Sequence, residues 1–207
     1  MHPGLSESEL VWEFFGRRPD GFFVEVGAND PRAGSPTWLL ESNGWRGILV
    51  EPLARFQEAL RTARPRSQIF QVACGPPGHP ETAEFFEAEA PGHSGLKQHA
   101  VDAATRYVGS ERVRVLTLDE VLGEAGNPTV DFVSIDVEGT QLDVLRGFDL
   151  GRHQPKLLLV EDHLYDFHTH FHLRRHGYRL VKRTHLNNWY VPLRCPFHLT
   201  TRWEQLR

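Results

Sequence analysis

The chain has 207 residues, with 23 Lys and Arg against 27 Asp and Glu and a net charge of -4. That length suits one α/β domain and excludes two catalytic domains, while 40% hydrophobic and 24% charged residues exclude disorder. The acidic balance argues against non-specific nucleic-acid binding, and no apolar run approaches the ~20 residues that span a bilayer.

Leu5 to Phe15 reads as a capped amphipathic helix, with Leu10, Val11, Phe14 and Phe15 on its apolar side. GFFVEVGAND, opened by Gly21, is a buried strand ending in a glycine turn. Ser35 to Asn43 is a helix with Ser35 as its cap and Pro36 at its first position. Gly47 to Glu51 is a second strand, Pro52 to Arg64 a helix, and QIFQVACG a third strand. Such a β-α-β-α-β run predicts a parallel sheet with helices on both faces.

The stretch from Gly75 to Asn127 is read as irregular, with TAEFFEA as one extra strand. Within it, residues 75–109 form a cap-like insertion over the pocket of a single domain spanning 1–207. VDFVSIDVEG is the fourth strand, Gln141 to Phe148 a helix, and KLLLVED the fifth strand. Leu164 to His176 is helical, and YRLVKRT and WYVPL flank a turn at His185 to Asn188, giving an antiparallel hairpin.

Open α/β sheets bind ligands at the carboxyl ends of their strands. Those ends carry Glu25-Val-Gly27-Ala28-Asn29, Glu51-Pro52, Ala73-Cys74, Asp136-Val-Glu138-Gly139 and Glu161-Asp162-His163. Gly27 lets the backbone approach a cofactor closely, although Asn29 and Arg32 replace the other glycines of a dinucleotide fingerprint. Glu51 ends the second strand where an acidic residue accepts both hydroxyls of an adenosine ribose. Together they point to an adenosine-containing ligand without a pyrophosphate.

FFVEVGAND, ILVEP, VDFVSIDVEGTQLDVLRGFDL and LLLVE resemble the FkbM-type S-adenosylmethionine-dependent methyltransferases. The resemblance runs from Gly21 to Glu161 and resumes around Asn188 to Val191, and S-I-D-V-E-G-T-Q-L-D-V-L-R-G is its most specific piece. It implies a seven-stranded Rossmann-like sheet, mostly parallel with an antiparallel C-terminal hairpin, and methyl transfer to an oxygen. It also implies that Glu25, Gly27 and Asn29, with Ala28 between them, hold the methionine part of the cofactor. Glu51, beside Pro52, would hold the ribose; Ala73 and Cys74 would line the adenine; Ser94-Gly95-Leu96 would lie near the cofactor.

An alcohol is a weak nucleophile until its proton leaves, so a base or a metal is needed. Either Asp136, Glu161 and Asp162 bind a divalent cation such as Mg²⁺ through oxygens, or His163 or Asp136 takes the proton directly. Methylation of a nitrogen or carboxylate, or a non-catalytic module that binds S-adenosylmethionine, are the competing readings.

From Gly151 onward 10 basic residues face 4 acidic ones, and 8 of the 12 histidines lie between His153 and His198. His172 and His176, four apart on one helix face, are compatible with zinc, but they lack any H-E-x-x-H pattern or cysteine partner. They read better as a solvated rim that could receive an anionic acceptor. The acidic start MHPGLSESELVWEFF lacks the basic residues of a signal peptide, and Cys74 and Cys195 lack metal-ligand spacing. The expectation is a cytoplasmic protein with reduced thiols, free of nucleic acid and membrane, able to form a homo-oligomer.

Overall fold

The computed structural model describes residues 5–89, 93–96, 105–162 and 166–197. In chain order the first half carries α1 (Glu7–Phe14), β1 (Phe22–Val26), α2 (Trp38–Ser42), β2 (Arg46–Val50), α3 (Ala54–Ala63), β3 (Ser67–Phe70), β4 (Ala73–Cys74), β5 (Thr82–Ala88) and β6 (Tyr107–Leu116). The second half adds α4 (Leu118–Glu124), β7 (Phe132–Ile135), α5 (Gln141–Arg146), α6 (Leu150–His153), β8 (Leu157–Glu161), α7 (Phe167–Arg175), β9 (Tyr178–Thr184) and β10 (Asn187–Pro192).

Seven strands form one sheet in the order β3-β2-β1-β7-β8-β10-β9. Pairing is parallel from β3 to β8, and β10 runs antiparallel to both β8 and β9. This is the Rossmann-like sheet that the family resemblance implies, with the parallel strands and C-terminal hairpin that the apolar runs predict. Because the chain moves outward from β1 through β2 to β3 and then restarts beside β1 at β7, the strand order reverses between β1 and β7, which opens a crevice at their carboxyl ends.

Side-chain alternation divides the core between the two faces. Val24, Val26, Val133, Ile135, Leu158 and Val160 pack with Leu118, Val121 and Leu122 of α4, Val144 and Leu145 of α5, and Leu173 of α7. Phe23, Leu49, Phe132, Leu157, Leu159 and Trp189 pack on the other face with Leu10 and Val11 of α1, Leu40 of α2 and Leu60 of α3. Glu25, Ser134 and Glu161 share the parity of Phe23, Phe132 and Leu159, so they belong to the α1–α3 face at its carboxyl edge.

Four local expectations are corrected. QIFQVACG is not one strand: β3 stops at Phe70, and β4 pairs parallel with β6 in a separate sheet ordered β4-β6-β5. Ser35 does not cap α2, whose N-cap is Thr37; Ser35 is buried and its hydroxyl donates to Glu25 instead. Asn187 and Asn188 lie in β10, not in the turn, which His185 makes with φ +51°.

The stretch from Gly75 to Asn127 is not irregular throughout, since the ten-residue β6 pairs antiparallel with β5 and α4 follows at once. That helix starts with a capping box: Thr117 Oγ1 accepts from the Glu120 amide (3.1 Å) and Glu120 Oε2 accepts from the Thr117 amide (2.6 Å). Thr117→Ala is expected to cost about 1 kcal/mol, lowering the thermal midpoint by roughly 2–4 °C in a chain of this size; an unchanged melting curve would show that the box contributes nothing.

Candidate active site

The crevice is built around one close approach. Gly27 has φ +88°, and a methyl group placed on it would lie 1.7 Å from the backbone oxygen of Asp136. Around this contact the Asp136 amide donates to Val26 O (2.9 Å), while the Gly27 and Ala28 amides donate to Val50 O (2.9 and 3.1 Å). The room that the missing side chain leaves is taken by the backbone of Asp136, while Gly27 itself lines both cavities of the crevice. Gly27 ties the ends of β1, β2 and β7 together.

Two cavities meet at Gly27, Asn29 and Asp136. The first is a slot that also holds Glu51, Pro52, Ala73, Cys74 and Ser94. Leu53, Phe56, Val72 and Phe85, which sequence reading did not assign to the slot, line it together with Leu96, which the resemblance placed near the cofactor. Phe85 and Leu96 arrive from the β5–β6 ribbon, which leans on the start of α3 through Arg55 Nη1 to Glu87 Oε1 at 2.5 Å and the Ala54 amide to Glu111 Oε2 at 3.3 Å. Ser94 Oγ accepts from the Ala88 amide, so it is held against the ribbon. Burial pushes the Cys74 thiol up to about 12, making it an inert wall rather than a nucleophile.

Glu51, 4% exposed, faces the slot with both oxygens anchored. Oε2 accepts from the Asn29 amide and Oε1 from the Leu53 amide, each at 2.9 Å. Every carboxylate oxygen has room for a second donor, so two further hydroxyls can be received. Burial raises its pKa to about 6 against the pull of those two amides.

The second cavity is polar and is lined by Glu25, Ala28, Ser35, Ser134 and Asn187 around the shared residues. Asn187 stands opposite Glu161 in the β8–β10 register and donates to Glu7 of α1 at 2.7 Å. Glu7 also accepts from Thr184, and burial raises its pKa. Neither contact is readable in the sequence, because both depend on how the first helix meets the last hairpin.

Carboxylate oxygens of Asp136, Glu138 and Glu161 come within 4.8 Å of one another. Burial holds the Glu161 carboxyl above the usual range, with repulsion from Glu138, Asp162 and Glu7 in the same direction. Glu138 has φ +51°, and burial followed by repulsion from Asp136 raises it to about 7.

Asp162, expected in this cluster, is not in it. Successive residues of an extended chain point to opposite faces, so Glu161 turns toward Asp136 while Asp162 meets Asn188 Nδ2 at 3.1 Å and Arg183 Nη1 at 3.9 Å. Glu138 takes its place. His163 lies outside the described residues.

Four described arginines of the C-terminal part lie elsewhere. Arg183 serves Asp162, Arg179 donates to Cys195 O, and Arg174 and Arg175 are exposed on the last turn of α7. The His172 and His176 rings are 4.4 Å apart, and among the described residues no third metal-capable side chain joins them. Cys74 and Cys195 are both free thiols. No described helix is long and apolar enough to cross a membrane.

The model of the methyltransferase FkbM domain matches residues 25–180, from Glu25 of β1 into β9. This chain belongs to the FkbM methyltransferase family. Its methyltransferase fold implies S-adenosylmethionine as the methyl source. Among curated relatives, the FkbM domain is 26% identical over 171 residues to the AMB antimetabolite synthetase AmbE of Pseudomonas aeruginosa, covering 63% of this chain and 8% of that much longer protein.

Solved structures resemble it as well. The precorrin-6y C5,15-methyltransferase of Geobacter metallireducens GS-15 has a TM-score of 0.45 at 14% identity, covering 89% of this chain and 85% of its own. The precorrin 8w decarboxylase of Methanobacterium thermoautotrophicum has a TM-score of 0.49 at 13% identity, covering 91% and 92%. The family match takes in every strand end of the FkbM domain's crevice, and leaves α1 and β10, which supply Glu7 and Asn187, beyond its limits.

Proposed function

We propose that this FkbM domain methylates a hydroxyl of a small polyhydroxylated acceptor such as a sugar or glycoside. The observation that carries the reading is Asp136 at the junction of the slot and the polar cavity, with carboxylate oxygens of Glu138 and Glu161 within 4.8 Å. An amine can attack without prior loss of a proton, whereas an alcohol needs a group to receive one. The carboxylate lining also favours a neutral acceptor over the anionic one that the +6 balance of the C-terminal part suggests. The match to part of an antimetabolite synthetase supports secondary-metabolite tailoring as the setting.

The donor groups suit the methyl source. The Glu51 carboxylate would take the ribose hydroxyls, Leu53, Phe56, Ala73 and Cys74 would enclose the adenine beside Ser94, and Glu25, Ala28 and Asn29 would take the amino-acid end. S-adenosylmethionine supplies a methyl group already activated on a sulfonium. The chain then has to align the acceptor oxygen, exclude water and accept one proton at an Asp136 oxygen. Such alignment is worth up to ~7–11 kcal/mol of barrier.

A second reading rests on the donor set itself: three carboxylate oxygens within 4.8 Å suit a hard divalent cation such as Mg²⁺, which would acidify the acceptor hydroxyl. Assays of purified protein with S-adenosylmethionine and a panel of glycosides should yield an alkali-stable O-methyl product by mass spectrometry. An N-methyl product, an alkali-labile ester, or binding without turnover would each overturn the proposal. Activity lost to EDTA and restored by Mg²⁺ selects the cation reading; activity indifferent to EDTA selects the direct base.

Glu51 gives a pH prediction. The folded chain binds this proton more tightly than the unfolded one, so its contribution to stability is fully present below about 4.5 and is lost as pH rises through about 6. Ligand binding runs the opposite way, because only the ionised carboxylate accepts from two hydroxyls. Affinity for 5′-methylthioadenosine, measured by calorimetry, should therefore rise from pH 5 to 7 and then level. Glu51→Gln should flatten that curve, and a curve that stays steep assigns the ribose to another group.

A further inference from the structure

Glu25 is 4% exposed, and the hydrogen bonds it accepts from the described residues fall on one of its oxygens. Ser35 Oγ (3.0 Å) and Thr37 Oγ1 both donate to Oε2. Oε1 accepts no hydrogen bond from the described residues and is left to the polar cavity, whose volume is about 150 Å³. Behind the two hydroxyls lies Arg64, fully buried just past the end of α3.

Its guanidinium donates to Ser35 Oγ at 3.2 Å, to Thr37 Oγ1 at 2.6 Å and to Pro31 O at 3.1 Å, and stands 3.7 Å from Glu25 Oε2. On its far side Glu41 accepts from Arg64 Nε at 2.6 Å, and the Arg66 amide and Ser67 hydroxyl complete that carboxylate.

Arginine has donors only, so the Ser35 and Thr37 oxygens must accept from it, and each hydroxyl proton is thereby directed to Glu25. We infer that Arg64 is a positioning residue that acts on Glu25 through Ser35 and Thr37 and makes the polar cavity select a ligand end bearing an ammonium group. The inference rests on the proposed use of S-adenosylmethionine. Burial already raises the Glu25 carboxyl against the pull of Arg64, Thr37 and Ser35; without the guanidinium the hydroxyls turn freely and the carboxyl moves further toward its protonated form. A neutral carboxyl can still hydrogen-bond, but it no longer prefers a cation. The sequence reading passed over Arg64, because an arginine beside a helix-ending proline looks like a surface residue.

Calorimetric titration with S-adenosylhomocysteine and with 5′-methylthioadenosine, which lacks the amino-acid end, tests the relay. Arg64→Gln should weaken S-adenosylhomocysteine about ten-fold, as loss of a charge-assisted hydrogen bond does, and leave 5′-methylthioadenosine within about two-fold. Arg64→Lys should recover most of the difference.

Thr37→Val keeps the shape, cuts one arm of the relay, and should give a smaller loss of about three-fold with the same selectivity; it carries the test if Arg64→Gln fails to fold. Equal weakening of both ligands marks a structural role, and unchanged S-adenosylhomocysteine affinity in folded variants marks none; either overturns the relay. A wild-type chain that binds neither ligand overturns the cofactor reading itself, and the relay with it.

Discussion

An Asp136→Asn chain is expected to bind S-adenosylhomocysteine nearly as well as the wild type while losing ~100- to 10,000-fold of its turnover, the range that positioned general bases supply. The substitution preserves shape, and an amide can hydrogen-bond Glu161. What it removes is the capacity to hold an abstracted proton. The charge it deletes has a second readout, because repulsion from Asp136 is one of the causes that raise Glu138 to about 7, after burial. In the variant the Glu138 titration, followed by NMR of the side-chain carboxyl, should move down toward the ordinary carboxylate range. Turnover within ten-fold of wild type, with Glu138 shifted as described, would place the base elsewhere and leave Asp136 a purely electrostatic role.

Much of this centre is readable before any coordinates. Buried parallel strands announce themselves as short apolar runs closed by glycine or a carboxylate, and the residues ending β1, β2, β7 and β8 could be named for that reason. What failed was the reading of direction. Glu161 and Asp162 are adjacent in the chain and looked equivalent, yet alternation sends only Glu161 to Asp136. The same parity puts Glu138 on the side of Ser134 and Asp136 in VDFVSIDVEG, but Glu138 lies past the end of β7 in a left-handed conformation, where alternation alone does not fix a direction.

TAEFFEA was readable as one strand of the ribbon, but its partner was missed for a different cause. That partner, β6, is exposed or half-buried along Tyr107–Arg112 and is buried only at Val113, Val115 and Leu116. The alternation in VRVL and the Thr117-to-Glu120 spacing that follows were the available signals. Glu7 and Arg64 could not have been found at all from local pattern, because each acts across a contact between elements distant in sequence.

Gly27→Ala should do more damage than any other single-methyl change at the site. Two costs combine. A residue with a side chain at φ +88° loses roughly 1–2 kcal/mol of backbone conformational energy. The new methyl would also lie 1.7 Å from Asp136 O, a backbone atom that cannot swing aside. Relief requires β1 and β7 to part at their ends, which strains the Asp136-to-Val26 bond and moves Asp136 away from Asn29. The expected loss exceeds about 3 kcal/mol, the size reserved for forced core rearrangements, and lowers the thermal midpoint by roughly 6–12 °C.

Gly78→Ala separates the two costs. Gly78 has φ +78° and open space within 4 Å of where a methyl would go, so it loses the backbone part alone. If the two variants melt together, the close approach at the switch point carries no energy and Gly27 serves only as a turn. If Gly27→Ala melts well below Gly78→Ala and also loses S-adenosylhomocysteine binding, the contact between these two strand ends is what holds the slot and the carboxylate cluster in one arrangement.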